Sequence, residues 1–218
     1  MIYLSLLTLN PRSRQVQRDI AAPYEMHRTL LSAFPSGKVG VDRADSEAAD
    51  VLFRLDDRFD GLFTVLIQSR AAPDWSALNT GYLLEPPKVK QPEPSLIAGQ
   101  VLAFRLRANP TKRLSAGKQN KGKRIGIYDQ EGQLAWLTRK GQQHGFRVLQ
   151  AQVSRDGKIK SERAIKHGDH RHDLELLSVQ FDGLLQVTDP ESLIQAVETG
   201  IGSAKGFGFG LLSLARAG

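Results

Sequence analysis

Val101-Leu102-Ala103-Phe104-Arg105-Leu106-Arg107-Ala108 alternates with a period of two. Leu102, Phe104 and Leu106 fall on one face. Val101, Ala103, Arg105 and Arg107 fall on the other. Successive strand side chains point to opposite faces, so this is a half-buried strand with a basic outer face. It opens the second of two similar series of elements, and the two series together set the fold.

The first series precedes it. Ile2 to Leu9 reads as a buried strand, ended by Asn10-Pro11. A helical segment follows, split by Pro23. Beyond Pro23, Met26, Leu30, Leu31 and Phe34 recur at helical spacing, and Pro35-Ser36-Gly37 stops the helix. Val51 to Leu55 and Leu62 to Gln68 read as strands. A short helix around Asp74 to Leu78 and a strand around Tyr82 to Leu84 complete the order strand-helix-strand-strand-helix-strand. Glu85 to Pro94 holds Pro86, Pro87, Pro92 and Pro94, the composition of an extended linker.

After Val101 to Ala108 the order repeats with insertions. Asp129 to His144 reads as a helix with apolar contacts from Leu134, Trp136 and Leu137. Phe146 to Val153 reads as a strand, and Arg155-Asp156-Gly157-Lys158 as a hairpin turn. Leu174 to Phe181 and Leu184 to Val187 read as strands. Asp189-Pro190-Glu191 starts a helix with a capping carboxylate, a proline and an acid in its first turn. Leu193, Ile194 and Val197 form its apolar stripe, and Leu211 to Ala215 is the last strand. The expected fold is α+β, two tandem ferredoxin-like, RRM-like βαββαβ domains. They span residues 1–85 and 99–218, joined by a proline-rich linker over 86–98.

The 218 residues carry a net charge of +7 and no cysteine. A basic balance points to an anionic partner, usually nucleic acid. Without cysteine there is no disulfide, no cysteine-zinc site and no thiol nucleophile. The apolar start, Met1 to Leu9, lacks a charged leader and is too short for a signal peptide. No apolar run approaches the ~20 residues of a membrane span. No membrane partner and a cytoplasmic location are therefore expected.

Gly200-Ile201-Gly202-Ser203-Ala204-Lys205-Gly206-Phe207-Gly208-Phe209-Gly210 sets five glycines around one lysine. Glycine permits positive φ and close backbone approach, and successive N–H groups with a lysine suit a phosphate. The competing reading is a plain connection from helix to strand. A P-loop needs Gly-Lys before Ser or Thr and a helix after it; a Rossmann loop follows a strand and opens a helix. This loop does neither, which favours the phosphates of a polymer over a mononucleotide.

No acidic residue lies between Glu93 and Asp129, a stretch that holds Arg105, Arg107, Lys112, Arg113, Lys118, Lys121, Lys123 and Arg124. Such cations release counterions when they meet nucleic acid. Arg155, Lys158, Lys160, Arg163 and Lys166 form a second basic group. On a hairpin they make a ribbon reaching toward an RNA stem end, or a charged edge that avoids aggregation. Tyr24 and His27, three apart on a helix, share a face, with Arg28 one step round. A histidine, a tyrosine and cations suffice to cut RNA without metal. By spacing alone, an ordinary surface histidine is the commoner reading. At His167, His170 and His172 a metal site competes with a polar loop; Lys166 and Arg171 repel a cation and favour the loop. No metal and no cofactor is expected.

Three segments together closely resemble the CasE family, the CRISPR RNA-processing endoribonucleases of type I-E systems. They are Asn10-Pro11 with Pro23-Tyr24-Glu25-Met26-His27-Arg28-Thr29-Leu30, then Phe104-Arg105-Leu106-Arg107-Ala108-Asn109-Pro110-Thr111-Lys112, then Gly200 to Ala215. The resemblance implies a repeat hairpin RNA as substrate, metal-independent cleavage at the 3' base of the stem by 2'-hydroxyl attack, and retention of the guide in the Cascade complex with its other subunits. It implies catalytic roles for Tyr24 and His27. It implies RNA contacts from Arg105 and Arg107, from Lys158 and Lys160, and from the loop residues Gly202, Lys205, Gly206 and Gly208; Arg28, Lys112 and Arg113 are expected to contact RNA by their charge and position. Leu31 and Ser32 stand where some members carry a lysine. The competing class is a subunit that holds an RNA hairpin without cutting it; a general nucleic-acid chaperone is a third.

Overall fold

The computed structural model describes residues 2–34, 51–58, 60–114, 124–163 and 172–217. The expected helix stop at Pro35-Ser36-Gly37, the lysines Lys118, Lys121, Lys123 and Lys166, and His167 and His170 lie outside them. The chain divides into two units, Met1–Ser95 with Ala196–Leu211, and Leu96–Gln195 with Leu212–Gly218. The first break, between Ser95 and Leu96, follows the proline-rich segment Glu85 to Pro94. The glycine loop, expected in the C-terminal domain, belongs instead to the first unit.

In the first unit β1 is Tyr3–Thr8, α1 Arg14–Ala21, α2 Pro23–Leu31, β2 Val51–Asp57, β3 Phe63–Ser69 and β4 Lys88–Lys90. The antiparallel sheet has the order β2-β3-β1-β4. The Ser13 hydroxyl accepts from Val16 N and starts α1. Leu7, Leu9, Val16, Met26, Leu30, Phe53, Val65 and Ile67 build the core. Asp19 is fully buried there; Arg18 donates to its Oδ1 and the Tyr82 hydroxyl, 3.1 Å away, to its Oδ2. A buried carboxylate is tolerated only when paired in this way.

Two expectations for the first unit need correction. The helix around Asp74 to Leu78 is a single 3-10 turn, Trp75–Ala77, held by Asp74 accepting from Ser76 N. The fourth strand is not Tyr82 to Leu84, where only a Leu9–Leu83 bridge forms. It is Lys88–Lys90, inside the supposed linker, paired with Leu4 to Leu6 of β1. Prolines flank this short edge strand without interrupting it, and an edge is where a sheet admits them.

In the second unit β5 is Val101–Ala108, β6 Thr111–Arg113, β7 Arg124–Gly126, α3 Gln130–Gln143, β8 Phe146–Arg163, β9 His172–Val187, α4 Pro190–Thr199 and β10 Leu212–Arg216. The main antiparallel sheet runs β10-β5-β9-β8, with β6 and β7 forming a separate ribbon. Along β5 the alternation holds: Leu102, Phe104 and Leu106 are buried and Arg105 is exposed. Each such apolar side chain contributes about 1.5–3 kcal/mol by leaving water. Trp136 of α3 stacks on Phe181 of β9 at 6.0 Å. Asp189 caps α4 through Oδ1, which accepts from Glu191 N and Ser192 N. The last turn of α4, from Ala196, clusters with the first unit.

The expected turn at Arg155 to Lys158 is not a turn. β8 runs straight through it with a register shift between Arg155 and Gly157, where Gly157 takes φ 99°. A bulge and a hairpin turn both call for a glycine at positive φ, so the local signal is shared. β9 likewise continues through Gly183, where an added Cβ would stand 2.0 Å from Gln150 O beside the other register shift.

Candidate active site and basic surfaces

Helix α2 begins at Pro23, whose missing N–H costs nothing in a first turn. Met26 and Leu30 enter the core, and this fixes the helix's rotation. Tyr24 and His27, one turn apart, are then half-buried on a shared face, and Arg28 is exposed. Arg28 reaches back to Glu25, with Nη1 3.1 Å from Oε2. So exposed a pair contributes little and leaves the guanidinium available to an anion.

The His27 ring stacks on Phe53 of β2, with centroids 5.9 Å apart and planes 16° from parallel. Its Nδ1 is buried and has no hydrogen-bond partner among the described residues. Burial lowers its pKa to about 4, because an imidazolium there would lose its water. At neutral pH the ring is therefore uncharged, with one nitrogen free to accept a proton. A phosphate brought beside it would favour the charged form and move the value back up.

The glycine loop packs against this face. Its 3-10 turn, Lys205–Phe207, is flanked by Ala204 at φ 63° and Gly208 at φ 82°. Phe207 meets Tyr24 with ring centroids 5.6 Å apart. At Gly208 a Cβ would come within 3.1 Å of Phe53 Cε2, so no larger residue fits without movement. The loop thus touches the two rings beside Tyr24 and His27.

The loop does not present its lysine. Lys205 is 4% exposed, and its ammonium donates to Thr199 O at 2.7 Å, at the C-terminal end of α4. A cation there also meets the negative end of the helix dipole. Gly206 and Gly208 are buried, and the backbone N–H groups of Phe207 and Gly208 are taken up within the loop by Ala204 O and Lys205 O. Gly202 and Ser203 are half-buried. Of the expected phosphate contacts in this loop, Gly202 is on the accessible side and Lys205, Gly206 and Gly208 face inward.

The second unit carries the other expected residues. Arg105 and Arg107 lie on the outer face of β5. Arg105 Nε stands 2.6 Å from Asp182 Oδ1, and Arg107 Nε 2.9 Å from Ser178 Oγ, both partners on β9. Lys112 and Arg113 are exposed on the β6–β7 ribbon. Lys158 and Lys160 lie on β8, in register with Leu177 and Glu175 of β9. His172 opens β9 opposite Arg163. Among the described residues no three His, Asp or Glu side chains converge as metal ligands.

Phe53 and Phe207 escaped the sequence reading. Phe53 is indistinguishable from any inward residue of a strand. Phe207 did carry a signal, as an aromatic residue between two glycines, where flexibility alone needs none.

The sequence matches a family described as CRISPR associated protein over residues 2–216. It is 40% identical over 224 residues to the CRISPR-associated endoribonuclease Cse3 of Thermus thermophilus, covering 98% of this chain and 100% of that one. It is 34% identical over 223 residues to the CRISPR system Cascade subunit CasE of Escherichia coli, covering 98% and 99%. A structure of the endoribonuclease Cse3 bound to a 19-nucleotide RNA matches with a TM-score of 0.81 at 38% identity, over 98% of this chain and 100% of that one.

Proposed function

Since this chain belongs to the CasE family of CRISPR-associated proteins, we propose that it is an endoribonuclease that cuts the repeat hairpin of precursor CRISPR RNA and keeps the guide as a Cascade subunit. The observation that carries the reading is the uncharged His27 ring with an unpartnered Nδ1, one helical turn from Tyr24. The strand orders β2-β3-β1-β4 and β10-β5-β9-β8, in each of which the first and third strands of the sheet form the central antiparallel pair, support two tandem ferredoxin-like domains.

Cleavage falls at the 3' base of the stem and needs no metal. The 2'-oxygen attacks the adjacent phosphorus as its proton passes to a base. The P–O5' bond breaks, and the leaving 5'-oxygen takes a proton from an acid. The products are a 2',3'-cyclic phosphate and a 5'-hydroxyl. His27 serves as one of the two proton-transfer groups, and Tyr24 assists or orients the 2'-hydroxyl. Arg28 stabilises the charge that grows on the phosphorane oxygens.

Arg105, Arg107, Lys112, Arg113, Lys158 and Lys160 bind the RNA backbone, and Gly202 offers the accessible part of the glycine loop. Lys205, Gly206 and Gly208 serve this site from within, by holding the loop. The work is cytoplasmic, where the precursor transcript is made. No helix among the described residues is long and apolar enough to cross a membrane.

The test is cleavage of a type I-E repeat hairpin RNA in EDTA by the wild type and by His27→Ala, with a second RNA bearing one 2'-deoxy sugar before the cut. Cutting by the wild type alone, blocked by the single deoxy, is the expected result. Tight binding without cutting in every arm would leave a hairpin-holding subunit.

A further inference from the structure

We propose that Phe53 and Phe207 are positioning residues for cleavage: their rings set the orientation of His27 and Tyr24, and the glycine-rich loop acts as the frame that holds both rings in place. This rests on the reading that Tyr24 and His27 carry the chemistry.

Each candidate catalytic side chain has an aromatic neighbour among the described residues, and the loop reaches both. Phe207 is a loop residue, 1% exposed, with its ring 5.6 Å from that of Tyr24. The next residue, Gly208, closes on the Cε2 edge of Phe53, itself 1% exposed and stacked on His27. A stacked, buried plate leaves an imidazole few orientations, and among the described residues no polar contact fixes the Nδ1 end of the ring. Ring packing is therefore what aims it. A proton-transfer group must be held within hydrogen-bond reach of its oxygen, and small misplacement is costly in rate.

The loop is built for rigidity. Ile201 N donates to Gly210 O at 2.9 Å and closes its neck. Lys205 ties its middle to Thr199 O. The strained αL conformation at Ala204 is kept, as expected of a segment whose shape its surroundings enforce. Burial of His27 is a second consequence of the same packing, and the lowered basicity of the ring reports it.

The experiment uses the full chain with Phe53→Leu, Phe207→Leu, His27→Ala and, as a core control in the second unit, Leu137→Ala. Single-turnover cleavage at saturating hairpin RNA, RNA affinity, thermal melting and the imidazole titration of His27 by NMR are measured. Both phenylalanine variants are expected to lose at least tenfold in cleavage rate with affinity within twofold. In Phe53→Leu the His27 titration moves up from its wild-type midpoint toward 6.5. Leu137→Ala is expected to keep its rate despite a lower melting temperature. Should Phe53→Leu not melt cooperatively, Gly208→Ala replaces it, crowding the ring instead of removing it.

An unchanged rate and an unchanged His27 titration in Phe53→Leu, with His27→Ala inactive, would overturn the positioning role and leave the catalytic assignment intact. Equal rate loss in Leu137→Ala would overturn it too, as plain destabilisation. Full cutting by His27→Ala would instead sink the catalytic reading on which the proposal stands.

Discussion

The ammonium of Lys205 and the carbonyl oxygen of Thr199 lie 2.7 Å apart, so the only lysine of the glycine loop points away from solvent and into the end of α4. That hydrogen bond assigns the residue a structural role. Lys205→Met keeps most of the stem and removes the donor. A hydrogen bond from a charged group contributes about 1.5–3 kcal/mol, and relief of the desolvated charge offsets part of it. A stability loss of about 1–2 kcal/mol in denaturant titration is expected on that scale. The salt slope of RNA binding should stay as in the wild type. A slope shallower by about 0.7–0.9 would mean that the variant neutralises one phosphate fewer, and would return Lys205 to the RNA.

The burial of His27 has a pH signature. Its folded pKa of about 4 lies below the unfolded value near 6.5, so the unfolded chain binds the proton more readily. The stabilising contribution is complete above about pH 6.5 and is lost as pH falls toward 4. At 1.36 kcal/mol per unit the whole window is worth about 3 kcal/mol. Between pH 7 and 4 the wild type should lose about that much more stability than His27→Gln, measured by urea unfolding at each pH. Equal pH slopes for the two proteins would mean that the ring is solvated.

How much of this was legible depends on the range of the forces involved. The alternation at Leu102, Phe104, Leu106 and Arg105 was legible because one strand's period encodes which face is buried. The start of α4 was legible because Asp189 and Pro190 act within a single turn. Strand β4 was not, because three residues among prolines become a strand only through pairing with Leu4 to Leu6. Gly157 misled because a bulge and a turn ask for the same φ. In the site, helical spacing put Tyr24 and His27 on one face with Arg28 beside them, but by spacing alone His27 read as an ordinary surface histidine, and only the family resemblance singled it out. The stacking of His27 on Phe53 was not, since it joins segments that the sequence keeps 26 positions apart.

Arg105 and Asp182 offer a different kind of test. Their ion pair, 2.6 Å between Nε and Oδ1, sits on an open sheet face with both side chains substantially exposed. Such pairs contribute about 0–1 kcal/mol. Asp182→Asn should therefore change stability little, within about 0.5 kcal/mol. It should strengthen hairpin RNA binding several-fold at low salt by removing a competing anion. Arg105→Ala should weaken binding and lower the magnitude of the salt slope by about 0.7–0.9. Unaltered affinity in both variants would remove β5 from the RNA surface.

Gly208 and Gly61 separate backbone strain from packing. Both take positive φ, 82° and 74°. An alanine at either site adopts αL at a cost of about 1–2 kcal/mol. They differ in what the new Cβ meets. At Gly61 no described residue lies within 4 Å of it; at Gly208 the Phe53 Cε2 atom stands 3.1 Å away. Gly61→Ala should lower stability by the backbone cost alone and leave cleavage intact. Gly208→Ala should add a steric cost of about 1 kcal/mol or more, since Phe53 is enclosed by a packed core and has little room to retreat. It should also slow cutting of saturating hairpin RNA at least tenfold, because the displaced ring is the one on which His27 rests. Equal effects at the two glycines, in stability and in rate, would mean that Phe53 yields freely and that the loop does not govern the histidine.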